Sequence, residues 1–224
     1  MGHKVYTIGR EFGSMGLVVG EKLAERLGIK YYDKELLQQA AKESGFCEEI
    51  FENHDEKPSN SFLYSLVMDT YSAGNYAATP FLDMPLNHKV FLAQFDTIKN
   101  IAAKESCVIV GRCADYALAN HPNVINIFVR ADLEDRIKIV SKRLDLTENK
   151  AKDLILKNDK QRASYYNYYT SKKWGDTSSY DLTINTSKIS VENAVDLILD
   201  FSRYMDAKKI AGIDTPESRR LSNK

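Results

Sequence analysis

TIGREFGSMGLVVGEKLAERLG, running from Thr7 to Gly28, is the stretch on which the fold turns. A β-branched run enters three glycines, Gly9, Gly13 and Gly16, and a helical pattern follows with apolar Leu17, Val19, Leu23, Ala24 and Leu27. Strand, glycine turn and helix is the layout of a phosphate-binding loop. Glycines let backbone N–H groups approach phosphate oxygens, and the dipole of the following helix favours the anion. FGSMG meets that need, and Ser14 adds a hydroxyl. The register of GxxxxGK[ST] is not met. With Gly16 as the second glycine, Glu11 stands at the first, Leu17 at the lysine and Val18 at the hydroxyl position. Taken alone, FGSMG reads first as an ordinary tight turn and second as a phosphate site.

Outward from this stretch, short apolar runs alternate with longer helical patterns. VYTI (5–8), IKYYD (29–33), CVIVGR (107–112), VINIFVRA (124–131) and YDLTINTS (180–187) read as strands. Helices are expected over 16–27, from 34 to a stop at Gly45, over 87–106, from about Asp132, over 147–170 and over 193–204. Residues 47–86 are less regular, with a helical SFLYSLVMDTYS followed by a loop-like AGNYAATPFLDMP. Strands alternating with helices predict an α/β fold on a parallel five-stranded sheet, with its ligand beyond the carboxyl ends of the strands. The unusual polar residues fall there: Arg10 to Gly16 after the first strand, Asp33 after the second, Gly111 and Arg112 after the third and Arg130 after the fourth.

Composition narrows the function classes. The chain has 224 residues, enough for one large domain or a domain with an inserted arm, and 43% of them are hydrophobic. Lys plus Arg and Asp plus Glu both total 31, so a general nucleic-acid partner is not expected. No apolar run approaches the roughly 18 residues of a membrane span, and the N-terminus has no signal-peptide layout, so no membrane partner and a cytoplasmic location are expected. Cys47, Cys107 and Cys113 show no close pair spacing and read as reduced thiols; the four histidines lie far apart in sequence, so no metal site is expected. The helix at 87–106 can face either core or partner, which leaves a homo-oligomer open.

Three further features carry chemistry. Arg112 follows VIVG directly, and its planar fork suits two parallel bonds to a phosphate, or a structural ion pair. Arg130 and Arg136 straddle the entrance to the next helix and read as solvated helix charges. In KNDKQRASYYNYYTSKKWGD (157–176), Asp159 and Arg162 share a helix face, and Asp159 can orient an arginine or accept from a substrate hydroxyl. The tyrosines and Trp174 read first as packing and second as a surface for stacking a nucleobase.

TIGREFGSMG, LAERLGIKYYDKELL, VIVGRCADY, the DKQR-to-WGD block and YDLTINTS, in this order and spacing, resemble the cytidylate kinase-like family over roughly residues 4–204. The resemblance implies a P-loop kinase-type three-layer fold over 1–206, with a nucleoside-monophosphate-binding insertion at about 47–86, a helical lid at about 145–176 and a polar tail at 207–224. It implies transfer of the γ-phosphoryl of ATP, with Mg²⁺, to a nucleoside monophosphate, CMP or dCMP foremost. Arg10, Gly13, Ser14, Met15 and Gly16 are then expected around the donor phosphates. Asp33, Arg112 and Arg130 are expected at the acceptor, and Arg112, Asp159 and Arg162 at the transferred group. Leu17 and Val18 depart from the pattern. They leave open a nucleotide-binding sensor or regulatory protein with little transfer activity, and, with less support, an interaction protein without a nucleotide site.

Overall fold

A computed structural model describes residues 3–33, 35, 36, 39 and 86–210. The expected insertion before Leu86, the helix stop at Gly45 and tail residues 211–224 lie outside the described residues. Five strands form one parallel sheet: β1 (Val5–Arg10), β2 (Lys30–Tyr32), β3 (Cys107–Val110), β4 (Val124–Arg130) and β5 (Leu182–Asn185), in the order β2-β3-β1-β4-β5. β1 is central. Val5 pairs with Cys107 on one side and Val124 on the other, so the two flanking strands start level with it.

The strands sort their side chains by the two-residue period of the pleat. Val5, Cys107 and Ile109 face a core shared with α2 (Leu86–Lys104), α3 (Ala114–Ala117) and the end of α5 (Glu148–Thr170). Tyr6, Ile8, Val108, Val110, Ile127 and Val129 face the other way, onto α1 (Gly16–Leu27) and α6 (Val191–Ile210). A sheet buried on both faces explains why its strands are nearly continuous apolar runs. A smaller cluster of Val140, Ala151 and Ile155, with Phe12 against it, joins α4 (Leu133–Leu144) to α5 beside the glycine loop.

Several boundaries differ from the sequence pattern, for local reasons. β1 runs two residues past VYTI, so Arg10 ends the strand instead of opening the loop. β3 stops at Val110 because Gly111, Arg112 and Cys113 all take positive φ, at 80°, 60° and 53°. The one-turn helix α3 that follows was not anticipated, and α6 continues to Ile210. Along α2 the spacing predicts an apolar side of Val90, Phe91, Ala93, Ile98 and Ile101; all are buried but Ala93, which is partly exposed. Opposite them the tyrosines of α5 pack inward: Tyr169 is fully buried and stacks on Phe91 with ring centres 4.1 Å apart.

Candidate active site

The loop between β1 and α1 is a left-handed double bend, with Gly13 at φ 82° and Met15 at φ 62°. Gly13 belongs there because the left-handed region suits a residue without Cβ. A Cβ at Gly16 would stand 2.6 Å from the Arg10 Cβ and 3.2 Å from the Val129 Cβ, so the helix begins where only glycine fits. No side chain caps α1. Its first-turn N–H groups therefore open onto a cleft lined by Gly13 to Val18, with Arg10, Glu11, Phe12, Arg143 and Arg162 around it. The Ser14 hydroxyl is not among the donors on offer. Fully buried, it lies 2.9 Å from the Glu11 carbonyl and 3.0 Å from that of Val129, and serves the loop itself.

Asp159 and Arg136 hold the loop from behind. One carboxylate oxygen of Asp159 accepts the Phe12 N–H at 2.7 Å, and the other accepts from the Arg136 guanidinium at 2.5 Å. Arg136 also lies 3.6 Å from a carboxylate oxygen of Glu11, whose same oxygen accepts the Ala131 N–H at 2.9 Å. One correction follows, for Arg136. Arg136 is buried, not a solvated helix charge. Asp159 has both oxygens engaged by the fold and lines neither cleft, which matches the orienting of an arginine, here Arg136.

Beyond the ends of β1 and β3, Arg10 and Arg112 converge on Asp33. Each guanidinium is 3.9 Å from the same Asp33 oxygen, and both side chains are almost completely buried. Gly111 makes this possible, since its Cβ position lies 2.0 Å from a terminal nitrogen of Arg10. Arg112 and Cys113 hold left-handed φ without being glycine, a strain of about 1–2 kcal/mol each that the surrounding packing must offset. A second cleft opens here, lined by Gly9, Arg10, Gly111 and Arg112, then by Arg162 of α5. Arg162 donates to the Arg10 carbonyl at 3.2 Å.

The far end of this second cleft is aromatic, with Tyr165, Tyr166, Trp174 and Tyr180 around Asp115. Trp174 stands edge-on to Phe128 with ring centres 5.4 Å apart. The Tyr166 hydroxyl donates to Asp115 at 2.6 Å, within a buried environment. Burial pushes the Asp115 carboxyl above the usual carboxylate range, partly opposed by that hydrogen bond and by Lys172. Burial, with the Asp115 charge nearby, likewise raises Tyr166 and Tyr180.

The structure thus gathers Arg10, Asp33, Arg112 and Arg162 into one site, with Gly13, Met15 and Gly16 adjoining it. Arg130 does not join them. Half-exposed, it lies 3.7 Å from Asp132 and lines neither cleft. Sequence reading missed Arg143 and Asp115, and discounted Arg136. Asp115 lies three residues after Arg112, but its burial depends on tyrosines some fifty positions away. Among the described residues no helix is long and apolar enough to cross a membrane, and no group of three His, Cys, Asp or Glu side chains is placed to hold a metal.

Known proteins resemble this chain in fold or in sequence. A crystal structure of an uncharacterized protein from Eubacterium ventriosum has a TM-score of 0.67 and 32% identity, covering 90% of this chain and 99% of that one. Shikimate kinase from Bacteroides thetaiotaomicron shares the fold at a TM-score of 0.51 and 12% identity, over 88% of this chain and 97% of that one. Cytidylate kinase from Pyrococcus horikoshii is 28% identical over 211 residues, 93% of each chain. That of Staphylothermus marinus is 34% identical over 101 residues, which is 45% of this chain and only 56% of that protein's length. The family profile described as cytidylate kinase-like matches residues 5–188, from the first residue of β1 through the turn after β5. With the sheet order, the glycine loop and the paired arginines all inside that span, the chain belongs to the cytidylate kinase-like family.

Proposed function

We propose that the protein transfers the γ-phosphoryl group of ATP to a nucleoside monophosphate, with CMP or dCMP as the leading acceptor. The observation that carries this reading is that Arg10 and Arg162 line both clefts. A donor triphosphate on the glycine loop and an acceptor phosphate beside Arg112 would then meet at a shared wall, with the Arg10 guanidinium on the acceptor side and Arg162 between the two. Phosphoryl transfer asks little else of a protein: an acceptor oxygen attacks the γ-phosphorus, the bond to the β–γ bridging oxygen breaks, and ADP leaves. The protein aligns the two phosphates and neutralises the charge that spreads over the equatorial oxygens. Arginine suits this because its fork is planar and its charge persists at neutral pH. Asp33 keeps Arg10 and Arg112 aimed, and the aromatic end of the second cleft offers flat surface to a base.

The residues present do not offer magnesium the usual hydroxyl ligand, since Val18 stands at that position. Magnesium would enter as part of the Mg·ATP substrate, held by phosphate oxygens and water, as this cation commonly is. Leu17 and Val18 also favour a second reading, a nucleotide-binding sensor with little transfer activity. One assay separates the two: Mg·ATP with a panel of nucleoside monophosphates, following ADP formation and nucleotide binding together. Under the kinase reading, Arg112→Ala and Arg162→Ala each lower turnover by about 10²–10³. Binding without turnover supports the sensor, and absence of nucleotide binding at millimolar concentration defeats both.

A further inference from the structure

We propose that Arg143 supplies the donor-phosphate charge that position 17 lacks, reaching the loop from the end of α4 instead of from the start of α1. This rests on ATP as the donor. Leu17 and Val18 make one wall of the glycine-loop cleft apolar where a lysine and a hydroxyl would otherwise stand. A triphosphate held only by backbone N–H groups against that wall would keep much of its charge uncompensated. Among the described residues, three arginines surround the cleft. Arg10 is turned toward Gly111 and Asp33, on the side of the acceptor cleft. Arg162 is shared between the two clefts and donates to the Arg10 carbonyl. Arg143 belongs to the loop cleft alone, in the last turn of α4, and is exposed to solvent.

Its position is set by Phe12. The guanidiniums of Arg143 and Arg162 each lie 5.5 Å from the centre of that ring. The ring is fixed in turn, because the Phe12 N–H is held by Asp159 and the side chain packs against the α4–α5 cluster. Phe12 is therefore a shelf that seats two arginines at the mouth of the loop, by attraction of a cation to an aromatic face. The last turn of α4, where Arg143 sits, is a favourable place for a cation because of the helix dipole. Its fork can then grip two phosphate oxygens, where a lysine would offer a point charge.

The test uses the full chain and Mg·ATP as the probe, with binding read by titration calorimetry and turnover read with CMP. Arg143→Ala is expected to weaken Mg·ATP by about tenfold or more, while KM for the acceptor stays within about twofold. Arg143→Lys falls between that variant and the unaltered protein. Leu17→Lys, added to Arg143→Ala, recovers affinity because it returns a charge to the place the loop pattern assigns it. Lys142→Ala, one residue away, leaves Mg·ATP affinity unchanged. An Arg143→Ala protein within twofold of the original overturns the proposal, as does a loss that Leu17→Lys does not reverse. Binding of Mg·ATP without turnover by the unaltered protein retires the kinase reading alone, and no binding at all retires both.

Discussion

A single carboxyl, that of Asp115, shows how far environment outweighs residue type in this site. Its ordinary value is 3.8, and burial among aromatic rings raises it. Below 3.8 the group is protonated in folded and unfolded chains alike. Above it the unfolded chain ionises while the folded one resists, so this group's contribution to stability falls as pH rises from 3.8 through the raised folded value. Asp115→Asn keeps an oxygen for the Tyr166 hydroxyl and removes the ionisation. Urea unfolding should show it more stable than the unaltered protein at pH 7, with the difference closing toward pH 3.8; an unchanged difference at both pH values contradicts this. Asp159 has the opposite role. Asp159→Ala leaves the buried Arg136 guanidinium with Glu11 as its remaining carboxylate neighbour and frees the Phe12 N–H, at a cost of about 1.5–3 kcal/mol, readable as a lower urea midpoint. The contrast marks what was legible from sequence. Arg112 announced itself by following a strand and a glycine. Arg136 did not, because nothing in its own helix says that Asp159, 23 positions later, will bury it. The pairing of Asp159 with Arg162 on a shared face was read correctly as spacing. The two side chains nevertheless serve different ends, one behind the loop and one above it.

Helix α1 carries a glycine at its first position and another just past its last, and the two should respond differently to the same change. At Gly16 an added Cβ meets backbone-proximal atoms of Arg10 and Val129, so Gly16→Ala must shift the loop. Gly28 holds φ 62° with nothing within 4 Å of a Cβ, and its N–H caps the carbonyls of Ala24 and Glu25. Gly28→Ala therefore costs only the left-handed strain, about 1–2 kcal/mol, with nucleotide affinity intact. Gly16→Ala should instead lower nucleotide affinity severalfold or more; equal affinities in the two variants would contradict the loop geometry. Elements of this length declare themselves in sequence, since twelve residues at a 3.6 period or a short continuous apolar run leave a pattern. The four residues of α3 leave none, which is why the turn that aims Arg112 was invisible beforehand. Strand ends were misjudged for a related reason. The expected strand 107–112 overruns β3 by two residues, because Gly111 and Arg112 turn left-handed and φ has no hydropathy signature.

The whole molecule is organised by α5, which runs 23 residues from the surface to the core. Its beginning packs on α4 through Ala151 and Ile155, its middle delivers Asp159 and Arg162 to the loop, and its end sinks Tyr165, Tyr166 and Tyr169 under the sheet. One helix therefore contacts the loop, carries Arg162 and supplies Tyr165 and Tyr166 to the aromatic end of the second cleft. Sequence revealed the helix but not this reach, because the partners of its three segments come from α4, β1 and α2. Trp174 stands just beyond the end of α5, in the wall of the second cleft and edge-on to Phe128. It is the only tryptophan in the chain. The protein thus carries its own optical probe. Exciting this indole reports on one wall of one cleft with no label attached, and filling that cleft with CMP should shift or quench its emission, whereas Mg·ATP on the glycine loop should move it less. Emission indifferent to the acceptor but responsive to ATP would assign the aromatic cleft to the donor, and a fluorimeter would exchange the two sites before any crystal did.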